Sequence, residues 1–257
     1  MTETLPLAGR HALITGGGTG IGAAIARALG AAGAAVSVVG RRAEPLAAVA
    51  ASVARGQALV ADVTREDAVA RAFAQAAAAF GAPDIVIANA GAVETAPFHR
   101  TTLDQWRRMM AINLDAVFLT AQAALPGLRA AAHGRLIVVA STAGVKGYPY
   151  TAAYVAAKHG AVGLVRALAA EWAGTAITVN AVCPGFTDTE IVAGAVANIA
   201  AKTGRSAGDA LGELTCHNPQ GRLIDPAEVA AAVLWLCAPA SRSVTGQTIM
   251  IAGGEVM

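Results

Sequence analysis

Short apolar runs, each followed by an alanine-rich stretch with helical spacing, alternate along this chain from one end to the other. That alternation restricts the fold more than any single motif. The strand-like runs are 11–15, 35–40, 57–61, 84–88, 135–141, 176–183 and 247–251, and the helical stretches are 20–32, 43–54, 65–80, 102–131, 150–173 and 226–237. Most of the runs are continuously apolar, as in Leu136-Ile137-Val138-Val139. A strand covered by helices on both faces needs apolar side chains on both, which is the pattern of a parallel sheet. Regular βαβ alternation therefore predicts a doubly wound α/β fold. No Pro-, Gly- or Ser-rich linker and no change of composition divides the 257 residues, so a single domain is expected. The stretch 186–225 is the exception to the alternation. It is longer than an ordinary connection, is broken at Lys202-Thr203-Gly204-Arg205-Ser206, and reads as a lid.

Composition excludes several classes of function. With 55% hydrophobic and 14% charged residues the chain can bury a large core and is not disordered. A net charge of +2, with no basic run beyond two residues, offers nucleic acid no footprint. Met1-Thr2-Glu3-Thr4-Leu5-Pro6 lacks the apolar segment of a secretory leader, and no apolar run reaches membrane-spanning length. Cys183, Cys216 and Cys237 are odd in number and far apart, which argues against a disulfide framework and for the cytoplasm. Cys216-His217 has no second ligand pair at metal spacing, so no metal is expected.

The first strand runs into Thr15-Gly16-Gly17-Gly18-Thr19-Gly20-Ile21-Gly22 and then a helix. Glycines allow a tight turn and close backbone approach, and a helix N-terminus offers free N–H groups to a pyrophosphate. The spacing is G-x-x-x-G-x-G rather than the strict dinucleotide fingerprint, and a glycine turn without a ligand remains open. A dinucleotide fold often carries an acid at the end of the second strand, where the adenosine ribose binds. Here the strand ends Val38-Val39-Gly40-Arg41-Arg42. A guanidinium pairs with a 2′-phosphate, which favours NADP(H) over NAD(H); the two arginines read alternatively as the surface start of a helix. Asp62-Val63 and Asn89-Ala90-Gly91 follow the third and fourth strands, at the carboxyl ends where open α/β sheets bind ligands. Asp62 could meet the adenine and Asn89 could order the loop, although both residue types are also ordinary turn formers.

The chemistry is expected around Tyr154 and Lys158. Four apart on a helix, they share a face, and an ammonium beside a phenol favours the phenolate. A phenol so tuned can serve as acid and base near neutral pH. Ser141 closes the fifth strand and could join Tyr154 in binding a carbonyl oxygen, while Asn113 could support a water chain to Lys158. Taken singly, Ser141 reads as a strand-end cap and Asn113 as a satisfied helical amide.

As a set, Thr15 through Gly22, Asn89-Ala90-Gly91, Asn113, Ser141, Tyr154-x-x-x-Lys158 and Pro184-Gly185-x-x-x-Thr189 resemble the short-chain dehydrogenase/reductase family, in order and spacing, over about residues 7–254. The resemblance implies a seven-stranded Rossmann fold, a nicotinamide cofactor and a catalytic group of Asn113, Ser141, Tyr154 and Lys158. It places Pro184, Gly185, Thr189 and the backbone near Thr187 at the carboxamide. Gly40 falls where NAD-preferring members carry Asp, and Arg41 where NADP-preferring members carry a base. Thr19 stands where many NADP enzymes have a second base, which keeps NAD(H) in play. The last third is similar to bacterial 3-oxoacyl reductases and hydroxyacyl-CoA dehydrogenases, and such relatives imply a homotetramer, with the helices 102–131 and 150–173 packed across subunits.

The function so implied is reversible interconversion of a secondary alcohol and a ketone. Substrate contacts are expected from Val93-Glu94, 143–148 and 186–220, with Val145, Tyr148, Phe186, Ile191 and Val192 giving an apolar character. A medium-sized apolar ketone or a 3-oxoacyl thioester fits, with Lys146, Lys202 and Arg205 as candidate phosphate contacts. The alternative is a dinucleotide-sensing protein that has lost the chemistry. A hydrolase built on Ser141 and Lys158 would need a nucleophile elbow, which Ala140-Ser141-Thr142 is not.

Overall fold

The computed structural model describes residues 5–257; the expectation for the chain's first residues, and the side chain of Lys202, lie outside the described residues. Seven parallel strands form one sheet: β1 (His11–Thr15), β2 (Ala35–Gly40), β3 (Gly56–Val60), β4 (Ile85–Ala88), β5 (Arg135–Val139), β6 (Thr178–Pro184) and β7 (Thr248–Ile251). Their order is β3-β2-β1-β4-β5-β6-β7, so the winding reverses between β1 and β4. Loops at the carboxyl ends diverge at such a reversal and leave a crevice.

Side chains alternate across each strand, and the alternation divides the core. Leu136 and Val138 of β5 join Leu13, Val86 and Val179 on one face. Ile137 and Val139 join Ile14, Val36, Ile87 and Val182 on the other. The second face is covered by α1 (Gly20–Ala31), α2 (Ala43–Ala51) and, at the other end of the chain, α9 (Pro226–Cys237), which packs against α1. The first face is covered by α3 (Glu66–Phe80), α4 (Leu103–Met110), α5 (Ala116–Ala130) and α6 (Ala152–Glu171).

Two expectations change here. The helix over 102–131 is not uniform: α4 and α5 are joined by a π-helical turn, Ala111–Asp115, which carries Asn113. The whole stretch Leu103–Ala130 is long and apolar enough to span a membrane, by length and composition alone, contrary to the reading of the bare sequence. Its Ala116, Val117, Ala121, Ala124 and Leu128 are buried in the sheet's core. The lid is also not a long loop. It holds α7 (Glu190–Thr203) and α8 (Ala207–Thr215), separated where Gly204 takes a left-handed φ of +70° and Ser206 caps α8 by accepting from Asp209 N.

Candidate active site

The glycine turn is held from beneath by the end of β4. Thr15 Oγ1 accepts from the backbone N–H groups of Asn89 (3.0 Å) and Ala90 (3.1 Å), and Asn89 Nδ2 donates to the carbonyls of Thr15 (2.9 Å) and Gly16 (3.1 Å). Packing leaves no room for side chains. A Cβ on Gly22 would stand 2.2 Å from the Gly16 carbonyl, and one on Gly17 would stand 2.7 Å from Val38. The N-terminus of α1 therefore opens directly onto the space above the turn, where its free N–H groups and positive dipole end favour an anion.

That space is a cavity of about 590 Å³, extended along the carboxyl edge of the sheet. At the turn it is bounded by Gly16, Gly18, Thr19, Gly20, Ile21 and Gly22. Toward β2 and β3 it reaches Arg41, Arg42, Asp62 and Val63; toward β4 and β5 it meets Asn89, Ala90, Gly91 and Asn113, then Tyr154 and Lys158. Thr189 closes it from above. Arg42 donates to Thr19 Oγ1 (3.3 Å) and pairs with Glu190 (2.9 Å), both at the surface. Asp62 accepts from Thr64 through its backbone N–H (3.0 Å) and hydroxyl (2.7 Å), which hold its carboxyl below the usual range. It forms the turn and still faces the cavity. A cradle without Cβ atoms, a helix N-terminus and two guanidinium groups at one end fit a dinucleotide phosphate backbone.

At the other end, Tyr154 and Lys158 lie one turn apart on α6, with Lys158 Nζ 5.8 Å from the Tyr154 ring centroid. Lys158 donates to the Val139 carbonyl at 3.0 Å. Asn113 is buried, donates to the carbonyls of Ala92 (2.9 Å) and Met109 (3.1 Å) and accepts from Ala92 N (3.3 Å). It abuts Gly91, where a Cβ would stand 2.9 Å from Asn113 Oδ1 and 3.5 Å from Lys158 Nζ. Ser141 Oγ accepts from Ala143 N (3.1 Å) at the start of a short 3-10 turn.

The expected direction of acidity is overturned in the protein by itself. Burial pushes the Tyr154 phenol up, opposed by a hydrogen bond with Ser141. Burial also pulls Lys158 down to about 8. Desolvation penalises whichever form is charged, and here it outweighs the pairing inferred from helical spacing.

Four of the residues expected at the site do not line the cavity: Ser141, Pro184, Gly185 and Thr187. Thr187 is buried, and its hydroxyl donates to the Gly185 carbonyl at 3.0 Å. In the lid, Ile191 and Glu190 border the cavity, whereas Val192 is buried. Leu46 of α2 and Ile112 of the π turn border it unanticipated, because nothing local in an apolar helical residue marks it for a site. Tyr148 and Phe186 meet edge to face, with His217 joining them, and the Tyr148 hydroxyl donates to a Glu255 carboxylate that no local sequence signal marks.

Comparison with known proteins agrees with this geometry. A family model described as enoyl-(acyl carrier protein) reductase matches residues 16–255. A cis-4-hydroxycyclohexanecarboxylate dehydrogenase of Sinomonas cyclohexanicum is 39% identical over 95% of this chain and 96% of its own. A D-beta-hydroxybutyrate dehydrogenase of Cupriavidus necator is 37% identical over 97% and 99%. The crystal structure of an actinorhodin polyketide ketoreductase variant with NADPH superposes with a TM-score of 0.91 at 33% identity, covering 96% of this chain and 97% of that one. A parallel seven-stranded sheet, a glycine cradle at its reversal and relatives matched end to end lead to one conclusion: the chain belongs to the short-chain dehydrogenase/reductase family, as an NAD(P)-dependent oxidoreductase that interconverts alcohols and ketones.

Proposed function

We propose that this enzyme is an NADP(H)-linked carbonyl reductase acting reversibly on a medium-sized, largely apolar ketone, with Tyr154 as its acid and base. The observation that carries this reading is the single cavity with Arg41 and Arg42 at one end and Tyr154 and Lys158 at the other. A bound nicotinamide supplies or accepts the hydride at the substrate carbon. Ser141 and Tyr154 hydrogen-bond the carbonyl oxygen. In reduction the Tyr154 hydroxyl gives that oxygen its proton as the alcohol forms, and Lys158 stabilises the phenolate left behind. Asn113 fixes the loop over Gly91 and Ala92, beside the Lys158 ammonium. Asp62 and Val63 would hold the adenine and Thr189 the carboxamide, with Pro184, Gly185 and Thr187 leading to it from the end of β6.

Arg41 is the group we assign to the 2′-phosphate, because Arg42 is engaged by Glu190 and Thr19. An apolar ketone is favoured over an acyl thioester for two reasons. Tyr148, bonded to Thr142 next to Ser141, packs edge to face on Phe186, and two of the candidate phosphate contacts are paired already: Lys146 lies 3.6 Å from Glu255 and Arg205 2.8 Å from Glu213. Exposed apolar side chains on three helices, Leu103 on α4, Phe118 on α5 and Trp235 on α9, support a homotetramer. Three free thiols suit a reducing compartment, the cytoplasm.

The test follows nicotinamide absorbance with NADPH and NADH against cyclic and linear ketones, 3-oxoacyl thioesters and the corresponding alcohols. Turnover of an uncharged ketone with NADPH at higher kcat/KM than with NADH is expected. Tight cofactor binding with no turnover across the panel would overturn the reading.

A further inference from the structure

The segment after β7 turns twice through positive φ, at Gly253 (+61°) and Gly254 (+94°), and carries Glu255 inward. The Glu255 side chain is only 1% exposed. Its Oε1 accepts from the Tyr148 hydroxyl at 2.5 Å and lies 3.6 Å from Lys146 Nζ. Its Oε2 is buried without a hydrogen-bond partner. A buried carboxylate with an unused acceptor is costly, so a contribution to stability does not explain a glutamate here.

Its contacts supply a different reason. The Tyr148 hydroxyl also bonds Thr142 Oγ1 at 2.7 Å, and Thr142 directly follows Ser141. Burial and Glu255 push the Tyr148 phenol well above its ordinary value, so it remains a donor to the carboxylate. The Tyr148 ring stands edge-on to Phe186 (centroids 6.2 Å apart) and to His217 (6.1 Å), and those two lid residues stack at 5.8 Å. Gly253 is seated so close to the lid that a Cβ would stand 2.0 Å from Asn218 Oδ1. Tyr150, the one non-glycine residue with positive φ among the described residues (+65°), lies in the same segment, and its carbonyl accepts from Ala96 N at 2.8 Å. Backbone strain of that kind persists only where the surroundings hold it.

We propose that Glu255 is a positioning residue for the substrate end: it latches the segment after β7 onto Tyr148 and thereby holds the chain between Ser141 and Tyr154 against the lid residues Phe186 and His217. The inference rests on the ketone-reductase reading for its consequence in turnover and on the hydrogen-bond chain for its structure. None of the latch residues lines the cavity at the glycine turn, Arg41 or Asp62, so the phosphate and adenine end of the cofactor is independent of it, while Gly185 packs against Glu255.

The experiment compares Glu255→Ala, Tyr148→Phe and the double variant with the unsubstituted enzyme, with Glu255→Gln as the substitution that keeps an acceptor for the Tyr148 hydroxyl. Three quantities are read: backbone hydrogen exchange without ligand, NADPH affinity by fluorescence, and KM and kcat for the best ketone. Both single variants are expected to speed exchange in 142–151 and 215–221 while leaving α1 and α2 unchanged. KM for the ketone is expected to rise about tenfold, the scale of one charge-assisted hydrogen bond, with smaller changes in kcat and in NADPH affinity. The double variant should be no worse than either single one, and Glu255→Gln should recover most of the loss. Unchanged exchange in both segments, or additive effects of the two substitutions, would overturn the latch. Glu255→Ala could loosen the whole fold, but Tyr148→Phe removes one oxygen and keeps the comparison decisive. An enzyme that turns over no ketone would defeat the ketone-reductase reading, while the exchange pattern would still judge the latch.

Discussion

Tyr154 and Lys158 sit one helical turn apart, and burial moves their acidities in opposite directions. The phenol is pushed up and the ammonium down to about 8. Reduction needs a proton on Tyr154 and a charge on Lys158, so kcat/KM for the ketone should be level near neutral pH and fall as pH rises through about 8. Lys158→Arg, whose charge does not titrate in that range, should lose the alkaline fall even if its overall rate is lower; an unchanged profile would take Lys158 out of the titration. Tyr154→Phe should lower kcat by roughly 10²-fold or more, the contribution of a positioned acid, with NADPH affinity within about twofold. A near-normal kcat would end the assignment. Arg41→Ala should weaken NADPH about tenfold, the value of one charge-assisted pair to phosphate, and leave NADH unaffected, as read by fluorescence titration. Residue identity at these positions was legible because helical spacing and strand ends are local properties. The sign of the Tyr154 shift was not, because desolvation depends on what the rest of the chain packs around the hydroxyl.

Among the elements, α9 shows how completely a terminus can be written in sequence. Asp225-Pro226-Ala227-Glu228 supplies an N-cap, a proline in the first turn and a reciprocal acid. Asp225 Oδ1 accepts from Ala227 N at 2.8 Å, and Glu228 Oε1 accepts from Asp225 N at 3.0 Å. Asp225→Ala should therefore cost about 0.5–2 kcal/mol, seen as a fall in Tm of roughly 2–4 °C per kcal/mol. Ketone kinetics should hardly change, since α9 lies against α1. Other elements were less legible. The π turn over Ala111–Asp115 inserts into a run whose composition is uniformly helical, and only the need to aim Asn113 at the loop after β4 marks it. The lid read as an insertion because α7 and α8 follow one another with no strand between them, broken at Gly204, and they pack against each other.

For the whole molecule, the buried polar groups at the opposite edge of the sheet set its response to acid. His11 is 3% exposed, with Nδ1 2.7 Å from the Gly81 carbonyl and Nε2 2.9 Å from Ser37 Oγ. Burial lowers its pKa below the ordinary value near 6.5. A histidine depressed in the folded state stabilises the fold fully above the unfolded value and loses that contribution as pH falls through it. Tm should decline as pH falls below about 6.5, relative to its value at pH 7. In His11→Gln that decline should be smaller between pH 7 and 5, as measured by thermal denaturation; an equal decline in both proteins would assign the acid sensitivity to other groups.

The sequence by itself determined which segments become strands and which residue types stand at the carboxyl edge. Apolar runs and glycine turns act over a few residues and need no partner to be read. Only the tertiary structure decided that Arg42 is shared with Glu190, that His217 joins Tyr148 and Phe186 in one aromatic cluster, and that Glu255 reaches Tyr148 across 107 positions of chain. Those contacts join segments whose local patterns carry no trace of one another. They exist because the sheet order brings the ends of β5, β6 and β7 side by side.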